Sequence, residues 1–85
     1  MEYTYVLLSE RDGKYYIGWI KDLKKRIIEH NKGKVYSTKN RYPLRLVYYE
    51  ACINGEDARQ REKYLKSGVG HSWLKNRLKH WRLTG

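Results

Sequence analysis

Residues 3–20 read YTYVLLSERDGKYYIGWI, and this stretch decides the fold. Its two halves, Tyr3 to Ser9 and Lys14 to Ile20, are rich in the aromatic and β-branched residues typical of strands. Asp12-Gly13 lies between them and is a turn signal of the kind that joins antiparallel strands. The stretch therefore predicts a β-hairpin.

The rest of the chain alternates helical and extended patterns. The elements predicted after the hairpin are a helix from Leu23 to about Lys32 capped by Asp22 and ended by Gly33, a loop from Val35 to Tyr42, a strand from Leu44 to Ala51 after Pro43, a helix from cap Asn54 through Lys66, and, after a break at Gly68 and Gly70, a helix from Trp73 to about Leu83 capped by Ser72. This order, ββαβαα, predicts an α+β fold with a three-stranded, mostly antiparallel sheet flanked by helices. A chain of 85 residues holds one hydrophobic core, so we expect a single domain over residues 1–85.

The composition restricts the class of protein. There is no apolar run near the roughly 20 residues that span a bilayer and no basic, then apolar, leader at the N-terminus, so a cytoplasmic protein without a membrane partner is expected. The single cysteine, Cys52, has no partner for a disulfide or a zinc site.

Basic residues are in large excess and indicate a polyanionic partner. Lys and Arg number 19 against nine acids, for a formal charge of +10. They concentrate between Lys21 and Arg45 and again between Arg59 and Arg82, where Glu62 is the one acid. Nucleic acid is the favoured partner, because ordinary solvated surfaces mix both signs of charge.

Glu62 is hard to explain by packing alone. Ala58, Glu62 and Leu65 follow i, i+4, i+7 spacing and share one helix face, which puts a carboxylate on the inward stripe. A carboxylate there must be paired, hydrogen-bonded or metal-coordinating. The alternatives are a salt bridge to Arg59 or Arg61, or a rim position open to water.

The first helix carries two further candidates. His30 falls beside Leu23 and Ile27, while Arg26 lies at the edge of that stripe and should project along the rim of the sheet. For His30, a core or rim histidine with a ring nitrogen bonded to backbone is favoured over a catalytic base. For Arg26, the alternative is one more surface charge.

Tyrosine use is unusual, with nine Tyr and no Phe. A two-residue turn at Asp12-Gly13 puts Tyr5 and Tyr16 on the same face of the hairpin, although several rows apart. Joint action of the two hydroxyls requires a longer loop and a shifted pairing. The alternative is that these are amphipathic sheet residues with their hydroxyls in water.

Several segments together resemble the GIY-YIG nuclease domain. They are Thr4-Tyr5-Val6, Tyr16-Ile17-Gly18, residues 22–31 (DLKKRIIEHN) and residues 58–66 (ARQREKYLK), in an order that spans almost the whole chain. The first signature departs from the family's name but keeps its tyrosine. The chain is most similar to the small stand-alone bacterial members.

The resemblance implies hydrolysis of a phosphodiester bond, usually in DNA, with one Mg²⁺ or Mn²⁺. Glu62 would be the sole protein ligand of that metal, which suits the way Mg²⁺ is held by few carboxylates and substrate phosphate. Arg26 would contact the scissile phosphate and stabilise its growing charge. Tyr5 and Tyr16 would position or deprotonate the attacking water, and His30 would support them or transfer a proton.

We expect nucleic-acid contacts at Gly18, where a bare strand would admit the substrate backbone, and at a set of basic side chains: Lys24, Lys25, Lys34, Lys39 and Arg41. Asn76 is the candidate for an asparagine that the family often has late in the domain. The helical wheel disagrees, since Asn76 lies nearly opposite the inward stripe of Leu74, Leu78 and Trp81.

The sequence thus favours a structure-selective DNA endonuclease with a role in DNA repair, because Tyr5, Tyr16, Arg26 and Glu62 are all present. Branched, flapped and single-stranded DNA all stay open as substrates, and so does the oligomeric state. One alternative is a binding module of the same fold that does not cut. Another is an RNA- or ribosome-associated basic protein, which leaves Glu62 unexplained.

Overall fold

The computed structural model describes residues 1–84, and the side chains of residues 1–81. Its elements are β1 (Glu2–Ser9), β2 (Tyr15–Ile20), α1 (Leu23–Asn31), a 3₁₀ turn (Tyr36–Thr38), β3 (Leu44–Cys52), α2 (Gly55–Lys66), α3 (Gly68–Arg77) and α4 (Lys79–Thr84). The predicted α+β class is confirmed: the three strands form one antiparallel sheet in the order β2-β1-β3, and the helices cover it.

The hairpin is closed by a longer loop than the two-residue turn assumed from sequence. The Ser9 amide donates to the Lys14 carbonyl, and the Gly13 amide donates to the Ser9 carbonyl, with Gly13 at φ +72°. The longer loop shifts the pairing by two residues, so that Tyr5 lies opposite Gly18 and Tyr16 lies opposite Leu7. This shift brings the Tyr5 and Tyr16 rings to 6.3 Å between centroids, as joint action requires.

Each face of the sheet carries its own core. Val6 and Ile17 point to one face and pack with Leu65, Leu74 and Leu78 of the C-terminal helices. The alternate residues point to the other face, where Tyr5, Leu7 and Leu44 pack against α1 through Leu23 and Ile27. The sheet therefore separates α1 from α2, and β2 forms one of its edges.

The N-terminal caps of α1 and α2 are the residues predicted from the sequence. The Asp22 carboxylate accepts a hydrogen bond from the Lys25 amide, and the Asn54 side chain accepts from the amides of Glu56 and Asp57. Gly33, with φ +72°, follows α1 as expected.

The prediction was wrong at the next helix boundary. Ser67, and not Ser72, caps α3, its hydroxyl accepting from the Gly70 amide, so the two glycines lie inside the first turn of the helix. Gly70 is required there because any Cβ would collide with the backbone of Tyr64, against which the helix packs. The helix then ends at Arg77, and a separate α4 follows.

Over the described residues, the helices are too short and too polar for any of them to cross a bilayer.

Candidate active site

His30 is the buried centre of the cluster. It is 0% exposed, and both of its ring nitrogens are engaged by side chains: Nε2 lies 2.9 Å from the Tyr5 hydroxyl and Nδ1 lies 2.7 Å from the Thr38 hydroxyl. Because a hydroxyl can donate or accept, either tautomer of a neutral imidazole is satisfied. The expected backbone partner for His30 was wrong, since two hydroxyls take that place.

Burial keeps the hydrogen-bonded Tyr5 and His30 side chains uncharged. It lowers the pKa of His30 to about 4, with the nearby Arg26 guanidinium acting in the same direction. It raises the pKa of the Tyr5 phenol to about 12, although Arg26 acts in the opposite direction. At neutral pH the Tyr5 hydroxyl is therefore protonated and His30 is neutral.

Gly18 provides the space for the Tyr5 ring. A Cβ built on Gly18 would lie 2.5 Å from both Cζ and the hydroxyl oxygen of Tyr5, well inside contact distance. Gly18 itself is buried. The Tyr5 ring already occupies the space that the missing side chain leaves. The approach of a substrate backbone at this glycine stays a prediction.

Tyr16 is the more accessible tyrosine of the pair. Its ring lies 4.9 Å from the His30 ring in an edge-on arrangement, and Ser37 donates a hydrogen bond of 3.4 Å to its hydroxyl. Its side chain is half-buried, whereas Tyr5 is fully buried. Of the two hydroxyls, the one on Tyr16 is available to a molecule bound at the surface.

Arg26 lies on α1, where its charge acts on both tyrosines. It is half-buried and makes one ion pair, from Nη1 to Glu29 at 3.4 Å. Its Nε is buried and has no hydrogen-bond partner among the described residues. Proteins rarely leave such a donor unpaired, so the guanidinium retains hydrogen-bonding capacity that a water or a bound anion can use.

Glu62 comes to the cluster from the opposite helix, α2, which packs on β1 and β2. Its charge contributes to raising the pKa of the Tyr5 phenol, more weakly than burial does. The side chain is 20% exposed, and its ion-pair partner is Lys66 at 3.5 Å. Neither alternative arginine pairs with it, because Arg59 binds Glu56 and Arg61 binds Glu50.

Two members of the cluster were not found from sequence. Thr38 and Ser37 lie in the 3₁₀ turn between α1 and β3, in a segment predicted as a plain loop. Thr38 is fully buried, and its hydroxyl completes the His30 contacts. Their hydroxyls carry no spacing signal in sequence, since only the folded path of the loop brings them to α1 and β2.

Arg41, a predicted nucleic-acid contact, has a structural role in the fold. Its Nε lies 2.7 Å from Asp12, and its guanidinium also donates to the carbonyls of Lys14 and Tyr15. The arginine lowers the pKa of Asp12 to about 2. These contacts tie the β1–β2 loop to the segment before β3 through Nε and Nη2 of the guanidinium.

The other predicted contacts are surface residues. Four lysines of the set, Lys24, Lys25, Lys34 and Lys39, are exposed, and the last of them lies 4.6 Å from the Tyr36 ring centroid. Asn76 is also exposed, near the end of α3, where Leu74 and Leu78 face the core. This agrees with the helical wheel.

The donor set suits one kind of metal site. Among the described residues there is no cluster of three or more His, Cys, Asp or Glu side chains that could hold a metal. A single carboxylate can still hold Mg²⁺ or Mn²⁺ when waters and a substrate phosphate supply the remaining ligands. Glu62 fits this role, since it is partly accessible and held by one flexible lysine.

Comparisons with known proteins are consistent with this geometry. Residues 1–79 match the family model described as the GIY-YIG catalytic domain. A UPF0213 protein of Clostridium perfringens is 42% identical over 67 residues, which are 78% of this chain and 71% of the relative. A UPF0213 protein of Lacticaseibacillus paracasei is 37% identical over 84 residues, covering 94% and 93%. The solution NMR structure of a UPF0213 protein from Bacillus halodurans matches with a TM-score of 0.55 at 34% identity, covering 89% of this chain and 84% of that one.

Proposed function

This chain belongs to the GIY-YIG catalytic domain family, and on that premise we propose that it is a metal-dependent endonuclease that hydrolyses phosphodiester bonds in DNA, selecting its substrate by structure. The proposal is supported by the electrostatic environment of the Tyr5 phenol, to which a cation, a second phenol and a carboxylate from different elements contribute. Arg26, Tyr16 and Glu62 all act electrostatically on the Tyr5 phenol.

Arg26 is the residue proposed to hold the scissile phosphate. A guanidinium is permanently charged, and its planar fork matches two phosphate oxygens. As the phosphorus is attacked, negative charge grows on those oxygens, and a fixed cation in a partly buried position stabilises it. The unpaired Nε is consistent with a side chain whose hydrogen bonds are completed by another molecule.

The two tyrosines have different roles in this proposal. Tyr5 is a poor base, since burial raises its pKa to about 12 and its hydroxyl is engaged with His30. We assign it to holding the cluster together. Tyr16, with the more accessible hydroxyl, orients the attacking water or takes its proton.

His30 is a positioning residue. With both nitrogens hydrogen-bonded and no exposed surface, it does not contact the substrate. It fixes the Tyr5 hydroxyl and packs edge-on against Tyr16, so it sets the direction of both phenols.

Glu62 would hold a Mg²⁺ or Mn²⁺ ion, with waters and a phosphate oxygen completing the coordination. When bound, such an ion stabilises negative charge on the phosphate and the leaving oxygen. Lys66 offsets the Glu62 charge in the absence of the ion. The acid Glu29 is paired with Arg26, the cation proposed to hold the phosphate, whereas the partner of Glu62 is the exposed Lys66.

Substrate selection would come from backbone and shape. The exposed lysines Lys24, Lys25, Lys34 and Lys39 supply non-specific attraction for phosphates. We extend the proposal to a single domain over the whole chain, a cytoplasmic location and a role in DNA repair, where branched and flapped DNA arise. RNA substrates are a competing outcome of the assay below.

The test is a cleavage assay on single-stranded, flapped, branched and duplex DNA and on RNA, with Mg²⁺, Mn²⁺ or a chelator. The wild type should cut at least one DNA structure only when the metal is present. Glu62→Gln should lower the cleavage rate by about 100-fold or more, the range seen when one electrostatic contact to a transition state is lost. Its DNA affinity in a chelator should stay within a few-fold of wild type.

Glu56→Gln is the matched control. Glu56 is an exposed carboxylate on the same helix, and it pairs with Arg59. It should cut at the wild-type rate. Cleavage by Glu62→Gln at the wild-type rate would remove the metal assignment. Binding without cleavage by the wild type on every substrate would show a non-catalytic binding module.

A further inference from the structure

A pocket of about 480 Å³ opens beside Arg26, at the end of edge strand β2. Trp19 and Ile20 supply apolar surface, and Lys21, Lys25 and Arg26 border it with positive charge. The pocket adjoins the side chain proposed to hold the scissile phosphate, but none of the tyrosines lines it. Its volume exceeds that of a single nucleobase several-fold, so a base with part of its sugar can enter.

Trp19 is held in place as a half-exposed wall of this pocket. Its indole Nε1 donates to Glu2 at 3.1 Å, and Glu2 is itself buried at the start of β1. Gly55, at the start of α2, allows the close fit, because a Cβ there would lie 3.2 Å from the Glu2 carboxylate and 3.6 Å from the indole. Trp19 is 37% exposed, so it presents a fixed aromatic surface to solvent.

The charges around the pocket favour a neutral ligand. Three acids line it, and each is engaged: Glu2 with Trp19 and, at 3.9 Å, with Lys21; Glu29 with Arg26; and Asp22 with the first turn of α1. Three cations, Lys21, Lys25 and Arg26, balance these three acids in formal charge. A second phosphate would gain little here, whereas an uncharged ring gains the apolar and aromatic contact.

We propose that this pocket binds one unpaired nucleobase, stacked on Trp19, whose nucleotide adjoins the phosphate held by Arg26. The proposal rests on the proposed function for the identity of that phosphate. Stacking on an aromatic side chain is possible for every base and requires a base that is free of its partner strand. The protein would therefore select DNA that has an unpaired nucleotide next to the scissile phosphate.

Binding is measured with Glu62→Gln protein in a chelator, so that cleavage plays no part. Trp19→Ala in this background should weaken binding of a single-stranded oligothymidylate by about 5- to 150-fold, the range for one base stacked on an aromatic side chain. Binding to a blunt duplex should change less than twofold. Trp19→Phe, which keeps a ring for stacking, should recover most of the lost affinity.

Tyr64→Ala is the matched control, because Tyr64 is also an aromatic residue 37% exposed but does not line the pocket. It should bind both DNAs as the parent does. Circular dichroism and the midpoint of urea unfolding verify that each variant is folded. Equal loss of single-strand and duplex affinity in Trp19→Ala, or no loss, overturns the proposal.

An oligonucleotide with 2-aminopurine at successive positions gives a second readout. Its fluorescence should be quenched at one position by the Glu62→Gln protein, since the indole stacks on that base, and not by the same protein carrying Trp19→Ala. Wild-type protein that cuts no substrate while this quenching persists would reject the proposed function alone. Cleavage that persists unchanged in Trp19→Ala on single-stranded and duplex DNA would reject the base pocket alone.

Discussion

Acid should destabilise this protein through one buried histidine. His30 has a folded pKa of about 4 against an ordinary value of 6.5, because it is buried. Between these values the unfolded chain binds a proton that the folded chain does not. The free energy of unfolding is therefore unaffected by the titration of His30 above about pH 6.5, and it decreases as the pH falls toward 4.

The magnitude follows from the difference between the two pKa values. The full difference corresponds to about 3 kcal/mol, and about 2 kcal/mol of it is lost by pH 5. Asp12 and Glu56, whose pKa values are lowered by arginine partners, contribute at more acidic pH. The interval from pH 7 to pH 5 therefore isolates the histidine.

The assay is urea unfolding of wild type and His30→Gln at pH 7 and pH 5. Wild type should lose about 2 kcal/mol between these pH values. The variant, although less stable at pH 7 because it changes two buried hydrogen bonds, should lose far less. His71→Gln removes an exposed histidine and should keep the wild-type dependence. Equal loss in wild type and His30→Gln would refute the reasoning.

Five further substitutions test three other parts of the structure. Gly18→Ala should destabilise the fold by about 1–3 kcal/mol in urea unfolding, because the added Cβ overlaps the buried tyrosine ring. Gly68→Ala, with open space around it, should change stability by less than about 1 kcal/mol. Arg41→Gln should speed hydrogen exchange in the β1–β2 loop without changing the salt dependence of DNA binding. Lys24→Gln, which removes a predicted phosphate contact, should reduce the slope of log affinity against log salt concentration by about one unit. Tyr16→Phe should lower the cleavage rate by 10-fold or more with a change in stability below about 1 kcal/mol, and an unchanged rate would exclude its hydroxyl from the reaction.

The strands and first two helices could be predicted from local sequence because their signals are local. The alternation of side chains along a strand and the caps at Asp22 and Asn54 depend on residues only a few positions apart. The local sequence is therefore sufficient to predict these elements. The boundary at Ser67 failed because its cause is tertiary. Glycine lowers helix propensity, but Gly70 is needed where α3 packs on α2.

The candidate site divides in the same way. Residue type and spacing, together with the family resemblance, proposed Tyr5, Tyr16, Arg26, His30 and Glu62 as candidates. They could not show that Thr38 completes the His30 contacts, or that Arg41 is occupied by Asp12. Those contacts join residues separated by a loop whose path is set by packing.

By itself, the sequence determined a basic α+β protein with a hairpin at its start and a lone carboxylate on an inward helix face. Only the tertiary structure decided which groups meet and which of them carry charge. The longer β1–β2 loop shifted the pairing by two residues and set Tyr5 opposite Gly18. Burial then kept Tyr5 and His30 neutral and left Tyr16 the accessible phenol. Pairing register and solvent exclusion depend on contacts between distant segments, so no local pattern specifies them.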